Sequence, residues 1–224
     1  MVSYIRQTGI FNPDNQRLNI HLVGVGSTGS FIALNLAKLG FNNIACYDFD
    51  LVEEHNIPNQ FYRLSDINKL KVDALYEIIK DFTGTEINPV PKKITEEYSL
   101  IDFVDLNSLV ILCTDNMESR KLIYEQIKDL PIGLIDTRLG GEGYQIYYID
   151  LTNEEQKKTY EECLNAETVE APCGQKAVIY TILSIASETC RIIKNIDQNK
   201  PVPTILKREM NNYKFLNNLE ENGN

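Results

Sequence analysis

Apolar residues in the first third of the chain alternate between short continuous runs and helical spacing. Residues 20–25 and 43–49 are compact apolar runs, which indicate buried strands. Between them, residues 30–40 place apolar side chains around most of a helix, which Gly40 is expected to end. A second helix is predicted over 69–82. Its apolar face consists of Val72, Leu75, Ile78, Ile79 and Phe82.

The alternation continues through the rest of the chain. Two prolines interrupt residues 87–94, so this stretch is predicted to be an edge strand. Further elements follow from the same patterns: a strand at 109–113, a helix at 116–129, strands at 132–136 and 144–149, and a long helix at 174–194. Residues 151–170 are polar, and we expect them to form a connector.

Strands that alternate with helices indicate the α/β class. We predict a Rossmann-like, doubly wound sheet that is parallel in its first half and mixed or antiparallel in its second half, with helices on both faces. One domain over 1–224 is expected, because the length suits one sizeable core. Residues 1–19 would be a polar lead-in, and 205–224 would be a flexible tail.

Composition narrows the function classes. The formal net charge is −10, from 22 basic and 32 acidic residues, which argues against a general nucleic-acid binder. The sequence has no run of eighteen apolar residues and no signal-peptide pattern at its start, so we expect a cytoplasmic protein without a membrane span. Five cysteines without a C-x-x-C pair are read as free thiols, and a zinc site is not expected.

A glycine-rich loop follows the first predicted strand. Gly24, Gly26 and Gly29 fit G-x-G-x-x-G, and the stretch from Gly24 through Ser27 to Ser30 leads into the first helix. Such a loop lets phosphate oxygens approach the backbone N–H groups at a helix start. Asp48 lies 24 residues after Gly24, where a carboxylate can accept hydrogen bonds from ribose. The loop predicts nucleotide binding, but it does not distinguish NAD from ATP.

Three further segments carry a resemblance that makes this distinction. They are DFDLVEEHNIPNQF at 48–61, which continues to DINKLK at 66–71, LVILCTDNMESR at 109–120 and SYIRQTGIF at 3–11. Together with the glycine loop they resemble the motifs of the ThiF/MoeB/HesA family, in the same order. The matching positions are Arg6, Gln7, Asp48, Asp50, Val52, Glu53, Asn56, Gln60, Lys71, Asp115, Asn116 and Arg120.

The resemblance implies an adenylating enzyme. Members of this family use Mg-ATP to convert the C-terminal Gly-Gly carboxylate of a ubiquitin-like or sulfur-carrier protein into an acyl-adenylate, and they act as homodimers that share residues across the interface. By this resemblance, Asp48 would hold ribose, and Lys71 and Arg6 would face phosphates. Asp115 would bind Mg²⁺. The other expected nucleotide contacts are Gly24, Gly26, Ser27, Gly29, Asp50, Asn56 and Gln60.

Each of these assignments has an ordinary structural alternative. Lys71 could be a solvated lysine on an amphipathic helix, Asp115 a helix N-cap, and Arg6 a surface charge. The family pattern also has an arginine where this chain has Asn59. Either Arg63 or Arg6 compensates for that loss, or the chain is an inactive module that binds nucleotide or a partner. An NAD-dependent oxidoreductase is the more distant alternative.

The second half of the chain offers less specific candidates. Gly140, Gly141 and Gly143 would either admit an extended Gly-Gly tail or form a tight turn, and Arg138 would either pair with an acid of the fold or guide a carboxylate. Cys173 precedes the long helix, where a thiol gains acidity, and the family resemblance makes it a candidate to carry a thioester or persulfide. Cys163 is a weaker candidate. Cys46, Cys113 and Cys190 are expected in the core.

Overall fold

The computed structural model describes residues 2–166 and 178–210. Its helices are α1 (Ser27–Leu39), α2 (Lys71–Thr83), α3 (Met117–Ile127), α4 (Glu154–Asn165) and α5 (Ile179–Asp197). Its strands are β1 (Asn19–Val23), β2 (Ile44–Tyr47), β3 (Asn88–Val90), β4 (Ser108–Leu112), β5 (Gly133–Gly140), β6 (Gly143–Asp150) and β7 (Ile205–Glu209). Among the described helices, none is both long and apolar enough to span a bilayer.

All seven strands form one sheet in the order β3-β2-β1-β4-β5-β6-β7. The pairs from β3 to β5 are parallel, and β5–β6 and β6–β7 are antiparallel. The predicted fold class, with a parallel first half and an antiparallel second half, is therefore confirmed. The short strand β3 lies at the edge of the sheet, as its prolines predicted.

Helices cover both faces of the sheet. One apolar core lies between the sheet and α1, α2 and α5, and it contains Leu36, Leu75 and Ile185. A second core lies under α3 and α4 and contains Tyr124 and Tyr160. Since parallel strands all end at the same edge, this arrangement brings the loops after β1, β2 and β4 together.

Two segments differ from the sequence expectation. Residues 154–165, expected within a polar connector, form α4, in which Tyr160 and Leu164 are buried against the second core. Residues 205–209, where the flexible tail was expected to begin, form β7 and pair with β6. Both elements are stabilised by contacts with distant residues, which a local apolar pattern does not reveal.

The glycine cluster of the second half forms a turn. Gly140 and Gly143 face each other across the end of the β5–β6 hairpin, and Gly141 between them has a φ of 58°. Positive φ is readily adopted by glycine, so the hairpin itself accounts for this residue. The cluster therefore matches the tight-turn alternative.

Candidate functional site

The candidate site lies at the carboxyl edge of the sheet, where β1 is flanked by β2 and β4. From β1 the chain crosses through α1 to β2 on one side, while β4 lies on the other side. Such a switch in strand order opens a crevice that commonly holds ligands in α/β sheets. Gly24, Asp48 and Asp115 all follow strands that end here.

The glycines of the G-x-G-x-x-G motif, two before α1 and one in its first turn, differ in their surroundings. Gly24 has a φ of 90°, and a Cβ there would lie 2.8 Å from the Cys113 carbonyl oxygen. A Cβ on Gly29 would lie 1.9 Å from the carbonyl oxygen of Gly24. Packing thus explains both residues. At Gly26 the nearest atom to such a Cβ is Gln60 Nε2, at 3.9 Å, so the described structure leaves this position open to a ligand.

The start of α1 lies directly after the open Gly26. α1 begins at Ser27, with Gly26 as its N-cap and no side chain capping it. The first N–H groups of a helix have no partner within the helix, and they favour an anion. Ser30 Oγ accepts a hydrogen bond from Phe61 N at 3.0 Å, which fixes the segment after Gln60 against α1.

Asp48 joins the glycine loop to the segment after β2. Its Oδ2 accepts a hydrogen bond from Val25 N, and its Oδ1 accepts one from Asp50 N, both at 2.9 Å. Burial raises the pKa of Asp48, although the two backbone donors and the charge of Lys71 oppose this effect. The carboxylate is therefore held rigidly at the position where the sequence predicted a ribose acceptor.

Lys71 is buried, so the alternative of a solvated lysine is wrong. It is the first residue of α2 and is 7% exposed. Its Nζ lies 2.8 Å from Asp50 Oδ2, and its backbone N donates to the Asp50 carbonyl at 2.9 Å. The pair places an ammonium group at the same edge as Asp48 and the glycine loop.

Asn56 and Gln60 hold the segment that covers this edge. Asn56 is buried, and its Oδ1 accepts a hydrogen bond from Glu53 N at 2.9 Å, so part of its role is to close a turn. Gln60 lies over Gly26, and its buried Oε1 has no hydrogen-bond partner among the described residues. The amide of Gln60 therefore has hydrogen-bonding capacity beside the most open part of the loop.

Asp115 follows β4 and does not cap a helix. Asn116 is the N-cap of α3, since its side chain accepts from Ser119 N at 2.8 Å. The Asp115 carboxylate is exposed and accepts from Asn116 Nδ2 at 3.1 Å. Mg²⁺ is commonly held by one or two carboxylates together with substrate phosphates, so an exposed carboxylate beside a phosphate cradle fits that ion.

The sequence reasoning assigned no role to several groups that shape this site. Tyr62 donates its hydroxyl hydrogen to the Val25 carbonyl at 2.6 Å, and no local motif announces that contact. Asp136, in the middle of β5 and opposite Leu112 at the end of β4, is fully buried and pairs with Arg120 and Arg138. The match of Arg120 to a family motif was the available signal for this cluster.

Arg6 and Arg63 lie apart from the site. Arg6 is exposed in the turn at residues 5–10, which is attached to the far end of α1 through a hydrogen bond from Gln7 Nε2 to the Leu39 carbonyl at 2.6 Å. α1 has 13 residues and is about 20 Å long, so Arg6 lies far from the glycine loop of its own chain, and its phosphate role stays a prediction.

The guanidinium of Arg63 is occupied by acidic side chains. It lies 3.0 Å from Asp66, 3.4 Å from Asp81 and 3.8 Å from Glu77. Glu77 and Asp81 are further along α2 than Lys71, so these contacts draw Arg63 away from the site. The structure gives no support to compensation for Asn59 by Arg63.

Comparison with known proteins identifies the family. The model of the ThiF family matches residues 7–222, which is nearly the whole chain. The chain belongs to the ThiF family. The resemblance inferred from four short motifs is thereby confirmed over the entire fold.

Relatives of this ThiF-family chain include activating enzymes. It is 28% identical over 122 residues to the NEDD8-activating enzyme E1 catalytic subunit of Arabidopsis thaliana, covering 54% of the chain and 26% of that protein. It is 35% identical over 108 residues to adenylyltransferase and sulfurtransferase uba4 of Emericella nidulans, covering 46% and 21%. The chain thus spans about a quarter of the length of these curated relatives.

A solved structure shares the fold. The crystal structure of E. coli MccB with ATP has a TM-score of 0.70 and 12% identity, covering 88% of this chain and 65% of that one. At this identity the likeness concerns the fold alone.

The remaining candidates of the ThiF-family chain have mixed outcomes. Arg138 pairs with Asp136 at 2.8 Å, which matches the structural alternative for this residue. Cys46 and Cys190 are buried as expected, and Cys113 is half-buried, with burial raising its pKa to about 11.

The described residues contain no cluster of three or more potential metal-binding side chains. Cys173 lies outside the described residues.

Proposed function

We propose that this chain binds Mg-ATP and adenylates the C-terminal Gly-Gly carboxylate of a ubiquitin-like or sulfur-carrier protein, with release of pyrophosphate. One observation carries the proposal. The buried Lys71–Asp50 pair lies at the same sheet edge as Asp48 and the open Gly26 backbone, and Asp115 follows the neighbouring strand. In the proposed function, these groups would contact the ribose, the phosphates and the metal of a nucleoside triphosphate.

The reaction joins two anions, so positioning and charge account for most of the catalysis. A carboxylate oxygen attacks the α-phosphorus, and the bond from the α-phosphorus to the bridging oxygen breaks as pyrophosphate leaves. The α1 N-terminus and Lys71 would hold the phosphates. Asp115 would hold Mg²⁺, which neutralises phosphate charge when bound. Asp48 would hold the ribose and thereby orient the α-phosphate for attack by the carboxylate.

ATP–pyrophosphate exchange in the presence of a Gly-Gly-ended ubiquitin-fold protein tests the proposal. We expect Lys71→Met and Asp115→Asn each to reduce exchange by about a hundredfold or more. Lys80→Met is the matched control, because Lys80 is exposed on the same helix about 14 Å from Lys71 and pairs only with surface groups. Equal losses in Lys80→Met and Lys71→Met would contradict a specific role for Lys71.

An inactive binding module is the second candidate, and Asn59 favours it. The pattern places an arginine there, and Arg63 is held by Asp66, Glu77 and Asp81. ATP binding without exchange for any Gly-Gly-ended partner would support this module. NAD binding without measurable ATP affinity would overturn the proposed adenylating activity. We further infer a cytoplasmic location, in keeping with the use of ATP and with the free thiols of the described cysteines. The resemblance to the family supports a homodimer.

A further inference from the structure

A buried cluster of charges lies directly beneath the loop that carries Asp115. Asp136 binds Arg120 through Oδ1, and its Oδ2 accepts hydrogen bonds from Arg138 Nε at 2.8 Å and from the Tyr160 hydroxyl at 3.0 Å. We call Arg120, Asp136, Arg138 and Tyr160 the Asp136 cluster. It connects α3, β5 and α4, and its carboxylate is fully buried.

Arg120 is the member of the Asp136 cluster that touches the site loop. It extends from the first turn of α3 and donates Nη2 hydrogen bonds to the carbonyls of Thr114 and Thr137, the latter at 3.0 Å. Thr114 immediately precedes Asp115 in the chain. The guanidinium therefore ties the backbone beside Asp115 to the middle of β5.

Stability alone is a poor explanation for this arginine. Arg120 is 5% exposed and sits near the N-terminus of α3, where the helix dipole disfavours a cation. Burial lowers the pKa of Arg120 to about 10, which still leaves it charged at neutral pH. Desolvation offsets much of what a buried ion pair gains, and apolar residues often replace such a pair without loss. Its directed hydrogen bonds to two carbonyls instead point to control of geometry.

We propose that Arg120 is a positioning residue that fixes the Asp115 carboxylate through the Thr114 carbonyl, with Asp136 holding its guanidinium in place. The proposal rests on the role of Asp115 toward Mg²⁺ given above. Partners behind a metal ligand orient that ligand, and their loss weakens metal affinity by about 10- to 100-fold. Arg120 would act in this way through the backbone, without touching nucleotide or metal.

Arg120→Lys separates this role from simple charge. Lysine keeps the positive charge but lacks the planar fork that reaches Asp136 and the carbonyls together. Calorimetric titration with ATP at a series of Mg²⁺ concentrations shows how ATP affinity rises as Mg²⁺ is added. We call the Mg²⁺ concentration that gives half of this rise the Mg²⁺ midpoint. We expect the Mg²⁺ midpoint to rise about tenfold in Arg120→Lys, while the affinity for ATP without metal stays unchanged. Tyr160→Phe is the matched control: it removes a bond to Asp136 but none to the Asp115 loop, so its midpoint should stay at the wild-type value.

A double variant tests whether Arg120 affects Mg²⁺ binding through Asp115. In the Asp115→Asn background, Arg120→Lys should shift the Mg²⁺ midpoint no further, because both changes act through the same carboxylate. If Arg120→Lys does not fold, Asp136→Asn loosens Arg120 and takes its place with the same expected shift. An unchanged midpoint, an equal shift in Tyr160→Phe, or an additive shift in the double variant would each overturn the proposal. Failure of the wild-type chain to bind ATP would instead reject the proposed function on which it rests.

Discussion

At the scale of single residues, the three glycines of the G-x-G-x-x-G motif are required for different reasons. Gly24 and Gly29 allow backbone segments to approach each other, with Gly29 leaving only 1.9 Å between a notional Cβ and the Gly24 carbonyl. Gly26 has no such neighbour among the described residues. A sequence motif treats these positions alike, and the structure separates packing from ligand access.

Alanine substitutions should reveal this separation. Gly29→Ala forces the α1 start away from the loop, so we expect a loss of unfolding free energy on the order of 3 kcal/mol, seen in chemical denaturation. Gly26→Ala should lower stability far less but weaken ATP binding at least tenfold, because a methyl group would occupy the space left for phosphate. An equal loss of stability in the two variants would contradict this distinction.

The ionisation of Asp48 should govern the pH dependence of nucleotide binding. Its carboxylate is the proposed ribose acceptor, and burial raises its pKa above the ordinary value of about 3.9. Protonation removes acceptor capacity, so ATP affinity should fall as pH decreases through this raised pKa. Titration calorimetry between pH 4 and pH 8 measures the effect, with the thermal melt of the free protein as the control for unfolding. Affinity that is constant over the range in which the fold survives would count against the ribose role.

At the scale of elements, α4 shows how a polar helix can be essential to the core. Most of its residues are charged or polar, but Tyr160 is 1% exposed and packs edge-on against Tyr124 with ring centroids 5.3 Å apart. Its hydroxyl donates to Asp136. One aromatic residue thus joins α4 to α3 and to the charged cluster under the site.

Two substitutions at Tyr160 should divide packing from hydrogen bonding. Tyr160→Ala leaves a large cavity and should reduce the unfolding free energy by about 3–5 kcal/mol. Tyr160→Phe keeps the ring but leaves Asp136 one donor short, so a loss of about 1–2 kcal/mol is expected. Urea denaturation followed by circular dichroism gives both values. A larger loss in Tyr160→Phe than in Tyr160→Ala would contradict the packing role.

At the scale of the whole molecule, the position of Arg6 limits how it can act. The N-terminal turn is attached to the end of α1 that lies about 20 Å from the glycine loop. Arg6 can contribute to a nucleotide site only if a second copy of the chain brings the two together. In the homodimer proposed above, the two-fold axis would have to place the N-terminal turn of each chain at the glycine loop of the other.

Mixing inactive variants tests this arrangement. If Arg6 serves the partner's site, heterodimers of Arg6→Ala with Lys71→Met contain one complete site. Random association should then restore about a quarter of wild-type exchange activity. A mixture of Lys71→Met with Asp115→Asn is the control, since both changes affect a site within one chain and no complete site can form. Equal activity in the two mixtures would contradict a role for Arg6 across the interface.

The fold class, the glycine loop and Asp48 could be predicted from local periodicity, turn geometry and the direction of parallel strands. Lys71 and Asp115 became nucleotide-site candidates through the resemblance of their motifs to the family. Tertiary contacts were needed to establish the burial of Lys71 against Asp50, the distance of Arg6 from the glycine loop of its own chain, the formation of α4 and β7, and the link from Arg120 to the Asp115 loop. These features depend on contacts between residues distant in the chain, such as Tyr160 and Asp136, whose pairing leaves no periodic pattern in the sequence.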